Sequence, residues 1–256
     1  MARIIRRKSS LGIYHVMLRG VNKQLVFLTD ADNLYFLKTL EKVKEISNFR
    51  LLGFCLMGNH LHLLIQETES GEPLDKIMQR ILNRFIAWYN SVYNRCGPLF
   101  GGRFASEPVE DERYFLSALR YIHNNPVHAG LCHKMSEYRW SSFADYADGR
   151  GILDGLVDTE MALGISGKHE LLRFFAEEDD EILLDDYTDL ELYRRQRGIC
   201  ELIYREYPCK EFSQLTEKDK LDFIRKCMKK GIAQKVIAEV TGESKFKLRK
   251  LQKEII

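Results

Sequence analysis

Three observations predict an α+β fold, a ferredoxin-like antiparallel sheet with helices followed by an all-α helix-turn-helix-like C-terminal domain. Up to about residue 125, apolar runs of period two alternate with runs of helical period in the order β-α-β-β-α-β-α. Gly58-Asn59 joins two of the apolar runs as a hairpin turn. Beyond about residue 190 only helical patterning remains.

Taken in order, GIYHVMLRG (12–20) reads as a strand ending at Arg19-Gly20, and residues 30–47 as a helix with Asp30 as its cap. RLLGFCLM and HLHLLIQE are two strands meeting at Gly58-Asn59. In residues 74–93, apolar side chains at 74, 77, 78, 81, 82, 85, 89, 92 and 93 mark one long amphipathic helix. A strand near LFGGRFASEPVE follows, then a helix from Asp111 to about Asn124, where Pro126 disfavours continuation. The predicted organisation is a domain over 1–149, an acidic connector over 150–189 in which residues 159–181 read as helical with breaks, and a helical domain over 190–256.

The 256 residues are 45% hydrophobic and 30% charged, which suits a globular chain able to bury a sizeable core. A formal net charge of +2 hides strong segregation. Residues 177–191 hold nine acids and no base, while residues 210–256 hold 13 basic against 7 acidic groups. Six cysteines without a C-x-x-C pair argue against a zinc ribbon and for reduced thiols. With no apolar leader core and no stretch of membrane-spanning length, the expected location is the cytoplasm.

MGNHLHLLI (57–65) carries the first chemical signal. On a strand, His60 and His62 project to one face while Leu61 and Leu63 enter the core, so the two imidazoles form a platform for a metal. Two partly exposed strand residues with local hydrogen bonds are the alternative. ALRYIHNNPVHAGL (118–131) adds a second signal: Tyr114, Ala118, Tyr121 and Asn125 share one helix face, and Phe115, Leu119 and Ile122 the packing face. A half-buried tyrosine and a turn asparagine would also satisfy this pattern.

MGNHLHLLI, LFGGRFASEPV, ALRYIHNNPVHAGL and EYRWSSFADY, in this order and spacing, together with YHVMLRGVNKQLVF, resemble the REP-associated tyrosine transposases, the single-tyrosine branch of the HUH endonucleases. The resemblance spans about residues 9–147 and implies a ferredoxin-like fold, cleavage of single-stranded DNA next to a hairpin, and a transient bond from tyrosine to a 5′ phosphate. Matched by position, His60 and His62 correspond to the HUH histidines, Tyr121 to the nucleophile and Asn125 to the polar third ligand. It also implies a monomer with Tyr121 acting in cis. Gly58 departs from the family, where many members have proline, but touches no ligand.

This chemistry suits these groups. Two neutral imidazoles and an amide oxygen leave a divalent cation, Mg²⁺ or Mn²⁺, its full charge and open positions for phosphate. A phenol of pKa about 10 attacks well only when a nearby cation favours the phenolate. A phosphotyrosine bond also conserves the phosphodiester for rejoining.

Lys76, Arg80 and Arg84 step by four along the polar side of the long helix, and Arg19 and Arg103 lie where the family approaches DNA; all five are candidate phosphate contacts, a solvated surface being the alternative for the helix. His15 reads as a core or supporting residue, and His123, His128 and His133 as surface groups. Tyr114 is the rival nucleophile but has alanine at i+4. In residues 232–255, Ala238, Gly242, Leu248 and Leu251 occupy helix-turn-helix positions. Ser244 would cap a second helix presenting Lys245, Lys247, Arg249, Lys250 and Lys253 to DNA phosphates; the alternative is a solvated helical hairpin. Two other functions fit parts of the pattern: a non-catalytic DNA-binding regulator with the same fold, and a metal-dependent phosphohydrolase that does not use Tyr121.

Overall fold

The computed structural model describes residues 7–177, 189–207, 212–229, 232–244, 247, 248 and 251. The chain divides into two compact units, Met1–Asp179 and Asp180–Ile256.

In the first unit, β1 (Ile13–Arg19), α1 (Asp30–Ser47), β2 (Arg50–Leu56), β3 (His60–Gln66), α2 (Leu74–Val92), β4 (Ala105–Val109) and α3 (Glu112–His128) follow the predicted succession. The sheet order is β2-β3-β1-β4, and every neighbouring pair is antiparallel. Hence β1 runs parallel to β2 and β3 parallel to β4, each pair linked through a helix, and right-handed crossovers put α1 and α2 on the same face. The Phe36–Phe85 contact joins those two helices, and Phe27, from the segment before α1, packs against the same Phe85 ring. On the other face lies α3, whose approach depends on Gly53: a Cβ there would stand 2.6 Å from Leu119 Cδ1.

Helix starts follow side-chain chemistry. Thr29, rather than Asp30, caps α1: its hydroxyl accepts from the Asp32 amide while Asp32 Oδ2 accepts from the Thr29 amide at 2.7 Å, so Asp30 becomes the first helical residue. Asp111 caps α3 by accepting from the Tyr114 amide at 2.7 Å. At its other end α3 does not stop before Pro126 but runs to His128. Proline removes one amide donor in the last turn, and the chain end is satisfied by Ala129 N to Asn125 O (3.0 Å) and Leu131 N to Pro126 O (2.9 Å).

The expected connector is in part a packed helix. After the short α4 (Phe143–Ala147) comes α5 (Glu160–Ala176), broken at Gly167 with φ 68°. Phe175 is buried against His123 and Tyr146, Arg120 lies over the Phe174 ring at 4.1 Å, and Asn124 donates to Phe175 O at 3.1 Å. Apolar positions 162, 171 and 175 bury this helix in the first unit, because the acidic run begins only at Glu177. Residues 178–188 lie outside the described residues.

The second unit contains α6 (Asp189–Arg205), α7 (Glu217–Lys229) and α8 (Gln234–Thr241) around a core that includes Cys200, Phe212, Phe223, Ile224, Val236 and Leu248. Gly242 ends α8 with φ 70°, and the Ser244 hydroxyl then accepts from the Lys247 amide at 3.2 Å. Leu251 is also buried in this core. Among the described residues no helix is long and apolar enough to cross a membrane.

Candidate active site on the sheet face beneath α3

Register decides which side chains reach α3. On β1 and β3 the directly opposed pairs include Arg19–His60 and Met17–His62, and His15 lies opposite both Leu64 on β3 and Glu107 on β4. Opposed residues point the same way, so Arg19, His60, His62, His15 and Glu107 all project toward α3. From the helix, Tyr121 and Asn125 come down one turn apart. Tyr121 is 2% exposed, with its ring centroid 5.7 Å from that of His62 and 5.9 Å from that of His15.

The two ring Nε2 atoms converge on one amide. His60 Nε2 is 3.2 Å from Asn125 Oδ1, and His62 Nε2 is 3.4 Å from Asn125 Nδ2. His60 Nδ1 is fixed by Asn59 Oδ1 at 2.7 Å, and the Asn59 amide nitrogen faces Lys23 O at 3.5 Å. The Nδ1–H of His60 therefore donates to Asn59, leaving Nε2 as a lone pair aimed at a carbonyl oxygen. With that tautomer, His60 Nε2 and Asn125 Oδ1, 3.2 Å apart, are two electron-pair donors side by side, a pair that a cation would use as ligands. Among the described residues no group of three or more His, Cys, Asp or Glu could hold a metal, so a cation site here depends on the asparagine oxygen.

Burial keeps His62 and His15 neutral. Burial, then the proximity of His15, His60 and Arg19, holds His62 well below the usual histidine range. Burial alone lowers His15 to about 3. Neutral imidazole is the form that ligates metals.

Other candidates fall elsewhere. Lys76, Arg80 and Arg84 are exposed on α2, on the far side of the sheet from the histidines, and Arg80 is engaged with Glu72 through contacts of 2.6 and 2.7 Å. Arg103 is exposed and faces Asp75 at 4.0 Å, in a loop whose Gly101 amide donates to Arg19 O. Lys247 Nζ donates to Glu243 at 2.7 Å. Lys245, Arg249, Lys250 and Lys253 lie outside the described residues. Tyr114 donates to Glu107 at 2.7 Å, so the rival tyrosine holds a carboxylate rather than the amide and imidazoles that Tyr121 adjoins.

Two corrections concern histidines and their neighbours. His123 is fully buried, not at the surface, with Nε2 2.8 Å from Ser142 Oγ and its pKa lowered by burial to about 3. Its position between the Tyr121 and Asn125 turns gave no hint of this, because Ser142 arrives from the EYRWSSFADY segment, whose contact with β2 is long-range. Asn59, read only as a turn residue, orients His60; adjacency to the histidine was the available signal.

Residues 8–125 match the family described as Transposase IS200 like, a span that includes the whole sheet and ends at Asn125. More particularly, the chain resembles REP-associated tyrosine transposases. It is 25% identical over 146 residues to a Haemophilus influenzae protein described as a REP-associated tyrosine transposase, covering 53% of this chain and 81% of that one. Among solved structures, it is similar to a REP-associated tyrosine transposase bound to a REP hairpin, with a TM-score of 0.50 and 20% identity, covering 62% of this chain and 93% of the other. That second likeness concerns the fold alone; the family match and the Haemophilus influenzae relative support a transposase role.

Proposed function

We propose that this protein cleaves and rejoins single-stranded DNA beside a hairpin, with Tyr121 as nucleophile and a Mg²⁺ or Mn²⁺ ion held by His60, His62 and Asn125. The observation that carries the proposal is the convergence of both Nε2 atoms on the Asn125 amide one helical turn from Tyr121. Such a cation, when bound, would supply positive charge for the non-bridging oxygens of the scissile phosphate. The family match over residues 8–125 supports DNA as the partner, and the likeness to REP-associated proteins supports a hairpin beside the cleaved bond.

Each residue has a distinct task. The Tyr121 oxygen attacks phosphorus, forming a phosphotyrosine bond to the 5′ phosphate as the bond to the 3′ oxygen breaks. The phenol proton passes, in net terms, to the leaving oxygen, giving a free 3′ hydroxyl. Because no water is consumed, that hydroxyl or another can reverse the step. α3 holds Tyr121 and Asn125 one turn apart and the strand pair holds the histidines, so the groups proposed to react are gathered in one place by the fold. Arg19, opposite His60, adds positive charge on the same face.

The decisive test incubates the full chain with a hairpin-bearing single strand and Mn²⁺. The proposal expects a protein–DNA adduct and a free 3′ hydroxyl. A free 5′ phosphate without adduct would indicate hydrolysis, and intact bound DNA a regulator. Mixing Tyr121→Phe and His60→Ala chains tests for a monomer acting in cis, which predicts no restored cleavage.

For the terminal segment the reading is a helix-turn-helix contact with DNA, supported by the left-handed Gly242, the Ser244 cap and buried Leu248 and Leu251. Removing residues 210–256 is expected to weaken duplex or hairpin binding and flatten its salt dependence, while cleavage of a short strand persists. An unchanged slope and affinity would exclude the segment as a DNA contact.

A further inference from the structure

We propose that His15 is a positioning residue that sets the tautomer of His62, a role that rests on the reading of His60, His62 and Asn125 as cation ligands. His15 reaches diagonally across the β1–β3 pair, and its Nε2 is 3.0 Å from His62 Nδ1, with the two rings inclined by 34°. Only one of these nitrogens can carry the shared proton. His62 Nε2 faces the amide nitrogen of Asn125, a donor, so it must be the bare acceptor. The proton of neutral His62 is then on Nδ1 and is donated to His15 Nε2. The opposite tautomer would set two donors against each other, 3.4 Å apart. Turning the Asn125 amide over to relieve that clash would aim its nitrogen, not its oxygen, at His60 and remove the oxygen ligand.

The cost of this arrangement argues for a role beyond packing. With Nε2 accepting, the His15 proton sits on Nδ1, a fully buried atom that has no hydrogen-bond partner among the described residues. An orphaned buried donor is destabilising, and an apolar side chain would fill the same space without it. What an apolar side chain could not provide is the acceptor that holds His62 with its Nε2 lone pair outward, the arrangement by which supporting groups orient metal-bound histidines.

The test uses the full chain without DNA. Two-dimensional ¹⁵N NMR of the wild-type protein with Mg²⁺ is expected to place the His62 proton on Nδ1. Calorimetric titration with Mn²⁺ is expected to show affinity falling about 10–100-fold in His15→Phe. Affinity should be largely recovered in His15→Gln, whose amide oxygen can accept in place of Nε2. A packing residue would behave otherwise: His15→Phe would change melting temperature but not Mn²⁺ affinity, and that result overturns the proposal. So does a wild-type His62 protonated on Nε2, an observation that requires no variant to fold. If wild-type protein binds no Mn²⁺ while His62 keeps its Nδ1 proton in the wild type and in His15→Gln but loses that preference in His15→Phe, the cation reading fails and the tautomer assignment stands.

Discussion

The two faces of one sheet do different work with the same strands. Toward α1 and α2, Val16 and Leu18 of β1 meet Leu63 and Leu61 of β3, all fully buried or nearly so. Toward α3, the alternate residues of those strands are His15, Arg19, His60 and His62. Because the side-chain period is two, slipping β3 by one residue would turn the histidines toward α1 and α2 and the leucines toward α3. The apolar face therefore fixes the register that brings the imidazoles together, and stability and chemistry can be damaged separately.

Replacing His60 or His62 with alanine should have the largest effect on chemistry, lowering cleavage by about 10²–10³-fold, the scale seen when a group stabilising transition-state charge is removed. For His60→Ala, at the end of β3, melting temperature should change less than for Leu63→Ala. On the opposite face Leu63→Ala should do the reverse: about 2–5 kcal/mol of stability lost in chemical denaturation, with cleavage per folded molecule nearly unchanged. Should Leu63→Ala abolish cleavage in protein that remains folded, the separation of the two faces would be wrong.

Acid should distinguish the faces too. His15, His62 and His123 are held neutral in the folded chain, with His15 and His123 lowered to about 3. Their unfolded counterparts protonate near 6.5, so stability is full above that pH and is lost as pH falls toward the folded values. Each group contributes up to about 1.4 kcal/mol per pH unit over that window. His123→Phe should reduce the slope of stability against pH between 6 and 4, whereas Leu63→Ala should lower the curve without changing its slope.

The smallest effect is expected at Arg80, exposed on α2 and engaged with Glu72. Arg80→Ala should leave both cleavage and DNA affinity unchanged. A clear loss of affinity would bring the α2 surface back as a DNA contact.

The comparison also explains what could be read from the sequence. Alternation placed His60 and His62 on one face, and helical spacing placed Tyr121 and Asn125 together, because both depend on backbone period alone. Bringing these pairs to the same place needed the resemblance to a family, since nothing local specifies that α3 crosses β3 at His62. Pro126 misled about the end of α3 because its cost is small in a last turn. His123 looked like a surface group because its partner Ser142 is 19 residues away. The orienting contacts of Asn59 and His15 are products of register and turn shape, which composition does not encode. For α5, local charge drew attention to the acidic run and away from Phe175 just before it.

Mapping the covalent bond tests whether Tyr121, beside the paired histidines, is the nucleophile. Adduct formed on a hairpin-bearing single strand would be digested with nuclease and protease and the modified tyrosine located by mass spectrometry. A nucleotide is expected on Tyr121, with no adduct from Tyr121→Phe and normal adduct from Tyr114→Phe. A nucleotide on Tyr114, with Tyr121→Phe still active, would contradict this assignment.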